Sequence, residues 1–223
     1  MTRMLFVQAL VKFISGLILT ALLLFLPAGT QNYPEGWLFM VILFAPMFIA
    51  GIVMMVKCPQ LLAKRLNAKE TQSAQKAVIG LSGGMFLAGF VLCGLNARFG
   101  WTSLPRWAVR TAAAVFLISY GLYAEVLREN AHLSRTVEVQ QGQKVIDRGL
   151  YGIVRHPMYA VTVPMFLSIP LILNAPAAFP IFLLHPLLLV KRIRNEEAVL
   201  EKELDGYADY QKKVKFRLIP RIG

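Results

Sequence analysis

Charge is scarce in this chain, and what there is leans one way. Only 16% of the 223 residues are Asp, Glu, Lys or Arg, against roughly 25% in a soluble domain. Lys and Arg together number 24, Asp and Glu 12. With 57% hydrophobic residues and a mean hydropathy of +0.56, this composition points to a membrane protein. Cysteine is nearly absent. Cys58 and Cys93 form no CxxC or metal-ligand spacing, which leaves them a packing role. The three histidines, His132, His156 and His185, fall in separate segments without ligand spacing, so no metal site is expected. No GxGxxG or phosphate-loop pattern occurs. Aromatic residues show no RNA-binding pattern, so nucleic acid is not an expected partner. Internal repeats, low-complexity tracts and a separate soluble domain are also missing.

What is present is apolar sequence in long runs. A crossing helix needs about 20 mostly apolar residues. Leu5–Leu26, Trp37–Val56, Ala77–Ala97 and Ala108–Leu127 meet this, and a longer run, Met158–Val190, contains no Asp, Glu, Lys or Arg. Asn174-Ala175-Pro176 divides that run, which predicts a hairpin of two short helices, Met158–Leu173 and Pro176–Val190. The expected fold is an all-α polytopic membrane bundle of about six spans, the last two needing tilt or local thinning. Residues 1–127 hold four N-terminal spans, and residues 128–223 hold the polar material. The first span is too long for a signal-peptide core, contains Lys12 and lacks a clear cleavage site, so it reads as a membrane helix.

The basic residues sort by side. Arg3, the loop 57–76, the loop 128–157 and the tail from 191 hold twenty of the 24 Lys and Arg residues, while Arg98, Arg106 and Arg110 stand opposite. Positive-inside logic places both termini in the cytoplasm, here that of a prokaryotic cytoplasmic membrane. Membrane lipids are then partners by attraction to anionic headgroups. Lys12, inside the first span, is expected to snorkel. His185 is expected to be hydrogen-bonded within the bundle.

Two polar stretches are candidates for chemistry. In EVQQGQKVIDRGLYGIVRHPMYA (138–160), Gly142 and Gly149 are turn residues. Pro157 suits the first turn of the next helix, with His156 extended before it. The free N–H groups opening that helix favour an anion such as a carboxylate, and Arg155 and His156 add donors there. Taken alone, Arg155 and His156 read as interfacial anchors rather than a site, and Tyr159 as a belt aromatic. In KRIRNEEAVLEKELDGYADY, residues 191–204 fit a helix ending near Gly206. It places Arg192 and Glu196 on one face and Arg194 beside Glu197. Taken alone this is a solvated, salt-bridged helix. A closed hairpin would instead bring it against Arg155-His156 at one interfacial cleft.

The order GLYGIVRHPMY, an apolar hairpin, then RNEEAVLEKELDGYADYQKKVKFRLIP resembles the isoprenylcysteine carboxyl methyltransferase family, over roughly residues 128–223. That family groups with integral-membrane S-adenosylmethionine-dependent methyltransferases, including phospholipid methyltransferases. The resemblance implies S-adenosylmethionine as cofactor and a lipophilic carboxylate or other lipid as substrate. It implies a cofactor pocket built from Gln143, Lys144, Val145, Ile146, Tyr151, His156, Pro157, Met158, Tyr159 and Glu196, with Gln140 and Arg155 beside it. Arg192 is expected to face the substrate carboxylate. Glu197 would serve as base if the acceptor were an amine, which keeps phospholipid amine methylation as the alternative. An NADPH-dependent membrane reductase is a third reading, because sterol reductases share a similar C-terminal region. Val161 departs from the pattern, standing where the family has a small residue.

Overall fold

The computed structural model describes residues 3–67, 73–130, 132–133, 139–140 and 142–220. Arg135 and Lys69, counted above with the basic loops, lie outside them. The helices are α1 (Arg3–Ala28), α2 (Pro34–Lys57), α3 (Pro59–Leu66), α4 (Ser73–Phe99), α5 (Arg106–Glu129), α6 (Pro157–Ile172), α7 (Phe179–Phe182), α8 (Leu184–Glu203) and α9 (Tyr207–Lys213). Short 3-10 turns span Gly149–Gly152 and Pro176–Ala178. α1, α2, α4, α5 and the stretch Pro176–Glu203 are long and apolar enough to cross a bilayer. The chain is an integral membrane protein with an all-helical fold.

The boundaries follow local chemistry. Proline, which lacks the N–H a helix's first turn leaves unused, opens α2, α3 and α6 at Pro34, Pro59 and Pro157. α6 has 16 residues, about 24 Å long at 1.5 Å per residue and shorter than the ~30 Å hydrocarbon core. The hairpin turns where the sequence predicts it. Its second arm differs from expectation: Pro176–Val190 is not one short helix followed by a separate tail helix. Pro186, whose ring removes a donor, restarts the helix at Leu184, and nothing between Val190 and Glu203 interrupts it. Apolar anchor and charged tail are therefore one rigid rod.

The packed core occupies one end of the bundle. Leu24, Phe39, Phe116, Ile172 and Phe182 are fully enclosed there. α1 meets α4 closely, since a Cβ at Gly94 would stand 2.5 Å from the Leu24 carbonyl oxygen. At this end the hairpin tip is pinned. Asn174 takes a left-handed conformation (φ 54°). Its side-chain oxygen accepts the Leu104 N–H (2.6 Å), and its carbonyl accepts Asn96 Nδ2 (3.0 Å). Tyr33 donates its hydroxyl to the Leu173 carbonyl (2.7 Å). The polar segments gather at the other end. There Lys12 donates to the Leu66 carbonyl, so its ammonium ties α1 to α3 rather than merely snorkelling. His185 is buried, with Nε2 3.4 Å from Thr162 Oγ1 and its ring edge-on to Phe166.

Candidate active site

The polar end is organised around one carboxylate. Glu197, 4% exposed, accepts Arg155 Nε (2.8 Å) and His156 Nε2 (3.1 Å) on Oε1, and Arg217 Nε (2.9 Å) on Oε2. A carboxylate only accepts, so His156 carries its proton on Nε2. Arg155 also donates Nη1 to the carbonyls of Val214 (3.0 Å) and Lys215 (2.9 Å). The backbone N–H groups of Arg155 and His156 donate to Phe216 (2.8 Å) and Arg217 (3.0 Å). The C-terminal strap 214–217 is thereby bound to the segment that opens α6, with α8 as the post between them. The expected Arg194–Glu197 pairing is not what forms, because Glu197 faces inward to Arg155, His156 and Arg217 while Arg194 points outward and is exposed.

One position earlier, a helical step of about 100° turns Glu196 to a different face. There it accepts the Tyr159 hydroxyl (2.5 Å), and Tyr159 accepts Arg192 Nε (2.8 Å). The Arg192 guanidinium also stands over the Tyr159 ring, 5.8 Å from its centroid. The shared face of Arg192 and Glu196 is as expected, but the link between them runs through a tyrosine of α6. Met158, at the start of α6, lies 4.0 Å by its sulfur from Arg65 Nη1, and Arg65 also donates to the Tyr123 hydroxyl.

The turn before α6 is held from α5. Glu129 accepts the Leu150 N–H on both oxygens (3.1 and 3.0 Å). Gly149 sits at φ +61°, and a Cβ there would collide with the Glu129 carboxylate. This fixes Tyr151, whose hydroxyl accepts Asn130 Nδ2 (2.9 Å) and whose carbonyl accepts the Tyr210 hydroxyl (2.7 Å). Burial pushes the Tyr151 phenol up to about 12, against the opposing pull of the Asn130 hydrogen bond. Burial likewise raises Tyr207 and Tyr210. Lys213, 2.6 Å from Asp147, holds that exposed carboxyl below its usual value.

These elements surround an open cavity whose space, mouth included, is about 860 Å³. Gln143, Lys144, Val145, Ile146, Tyr151, Arg155, His156, Pro157, Met158, Tyr159, Arg192 and Glu196 line it. Gln140 and Glu197 do not. Gln140 stands behind the wall, donating Nε2 to the His132 carbonyl (2.7 Å) and its N–H to Gln143 Oε1 (3.0 Å). Glu197 has both oxygens engaged by cations, an arrangement that does not present a free base. Asn130, His132, Leu133, Leu200, Leu204, Tyr207 and Tyr210 also line the cavity and were not singled out from sequence. Leu200 and Leu204 carry on the four-residue spacing of Arg192 and Glu196, a signal that was legible. Tyr207 and Tyr210 arrive because Gly206, left-handed at φ 82°, turns α9 back on α8. Among the described residues no group of three or more His, Cys, Asp or Glu is placed to hold a metal ion.

The sequence model of the isoprenylcysteine carboxyl methyltransferase family matches residues 111–202. The matched stretch runs from α5 through the loop and α6 to the end of α8, so it carries both Arg155-His156 and Arg192–Glu197. A Delta(14)-sterol reductase of Methylotuvimicrobium alcaliphilum is 25% identical over 134 residues, which are 53% of this chain and 31% of the reductase. The chain thus spans about a third of the length of the curated relative it matches. The solved structure of a eukaryotic intramembrane Ras methyltransferase, an isoprenylcysteine carboxyl methyltransferase, aligns over 96% of this chain and 84% of that one. Its identity is 16% and its TM-score 0.49.

Proposed function

We propose that the protein is a membrane-embedded, S-adenosylmethionine-dependent methyltransferase that esterifies the carboxylate of an isoprenylated or otherwise lipophilic substrate. The observation that carries this reading is the Arg192–Tyr159–Glu196 chain along the wall of a cavity at the membrane face, inside the region matched to the family. The donor set suits S-adenosylmethionine. Glu196 offers an anion to an ammonium, and the opening turn of α6 offers backbone N–H donors to a carboxylate. Tyr151 and Tyr207 supply apolar walls with polar edges. When bound, that cofactor supplies a methyl group already activated on a sulfonium. The chain's own task is then to orient and to set electrostatics. A carboxylate acceptor, ionised at neutral pH, needs no base. It needs a cation, and of the cations lining the cavity, Lys144, Arg155 and Arg192, Arg192 is the one in the chain to Tyr159 and Glu196. The engaged state of Glu197 supports this over amine methylation, which requires a proton acceptor. Glu197 is instead assigned a positioning role, bracing Arg155 and His156.

The reductase relative sustains a second reading, reduction of a lipid with NADPH. Binding of S-adenosylmethionine and of NADPH to detergent-purified protein separates the two. Incubation with methyl-labelled cofactor and a prenylated cysteine should give base-labile label released as methanol, the signature of an ester. Base-stable label would indicate an amine acceptor. Binding of NADPH alone would replace the methyltransferase reading with the reductase one.

A further inference from the structure

Two tyrosines one helical turn apart, Tyr207 and Tyr210, close the same side of the cavity and are equally buried, at 4% and 5% exposure. Their hydroxyls differ. Tyr210 donates to the Tyr151 carbonyl at 2.7 Å. The Tyr207 hydroxyl is shut off from solvent and has no hydrogen-bond partner among the described residues. Burying a hydroxyl without a partner costs free energy that a phenylalanine would avoid. The packing of the ring does not require the oxygen, since Tyr207 sits in an apolar cluster with Leu204, Tyr210 and Val214. An oxygen left unsatisfied by the described residues, on a residue that lines the cavity, is matched to something that enters the cavity.

The surroundings say what kind of group. Burial first, then the charges of Glu197 and Glu196, push the phenol's ionisation upward, so it stays protonated and acts as a donor. Arg155, which also lines the cavity, spends Nε and Nη1 on Glu197, Val214 and Lys215 and has no partner on Nη2 among the described residues. Two unused donors on one wall select an acceptor oxygen, and an anionic one before a neutral one. We infer that Tyr207 is a ligand-binding residue whose hydroxyl, beside Arg155, donates to a carboxylate oxygen at the aminoacyl end of the bound cofactor. This rests on the methyltransferase reading.

Tyr207→Phe tests it against Tyr210→Phe, using full-length protein in detergent. Without ligand, Tyr207→Phe should melt at or above the wild-type temperature, while Tyr210→Phe, which orphans the Tyr151 carbonyl, should melt lower. In calorimetric titration with S-adenosylhomocysteine, Tyr207→Phe should bind about tenfold more weakly or worse, the weight of a hydrogen bond to a charged group. With 5′-methylthioadenosine, which lacks the aminoacyl end, it should bind like wild type. Equal affinity of Tyr207→Phe and wild type for S-adenosylhomocysteine overturns the inference and leaves the methyltransferase reading intact. Equal weakening for both nucleosides moves the contact off the carboxylate and overturns it too. Failure of the wild type to bind S-adenosylhomocysteine at all defeats the functional reading and this inference with it.

Discussion

Adjacent glutamates of α8 have opposite duties, and the helical step between them is the reason. Glu196 faces the cavity and Tyr159; Glu197 faces Arg155, His156 and Arg217. Substitution should separate the two. Glu197→Ala strands a nearly buried Arg155 (side chain 8% exposed) and is expected to cost about 3–5 kcal/mol, as removing one partner of a buried ion pair does, read as a large fall in melting temperature. Glu196→Gln should leave the melting temperature close to wild type and weaken cofactor binding. Arg192→Lys should chiefly raise KM for the carboxylate substrate, since an ammonium cannot supply the planar fork that holds Tyr159 and an anion together. Tyr151 adds a pH dependence. Its folded ionisation near 12 lies above the unfolded value of 10.0. The protonated form is thus favoured by folding, and its contribution is complete below pH 10 and lost as pH rises from 10 through 12. A melting temperature that declines over that window, with phenolate absorbance appearing late, is the expected record.

At the level of elements, two joints decide whether a site exists. The strap 214–217 carries the carbonyls that accept from Arg155 and His156. A chain ending at Val214 should therefore lose cofactor affinity more than tenfold while keeping its helical circular dichroism, because residues 215–217 contact the opening of α6 and not the packed core around Leu24, Phe39 and Phe116. The hairpin tip is the second joint. Asn174 holds a positive φ and two hydrogen bonds there. Asn174→Ala should cost about 1–3 kcal/mol through a strained backbone and a lost acceptor, and Asn174→Gly less, because glycine accepts the conformation freely. The sequence located this turn from Asn-Ala-Pro alone. It did not reveal that α8 would run unbroken from apolar anchor to charged tail, since that depends on Pro186 restarting the helix rather than on the hydropathy change at Lys191.

Across the whole molecule, one end is packed and the other is polar. The distribution of basic residues gives the expectation that the polar end faces the cytoplasm. The two cysteines report on this. Cys58 is exposed at the α2–α3 junction of the polar end, and Cys93 is buried. In intact cells a membrane-impermeant maleimide should label neither, and in inverted vesicles it should label Cys58. Labelling of Cys58 from outside would reverse the orientation.

Composition and hydropathy by themselves determined a membrane-embedded helical bundle, the hairpin and the location of the polar chemistry, because these follow from transfer free energies and turn chemistry that act within a few residues. The family resemblance pointed to most of the residues that line the cavity, while helical spacing by itself placed only Arg192 and Glu196 on one face. The tertiary structure alone decided which way each polar group is spent. Glu197 is satisfied by donors 20, 41 and 42 residues away in sequence, Tyr210 by a carbonyl 59 away, and Tyr207 by nothing among the described residues. Satisfaction of a buried group depends on what folding brings within about 3 Å, and no local pattern encodes that distance.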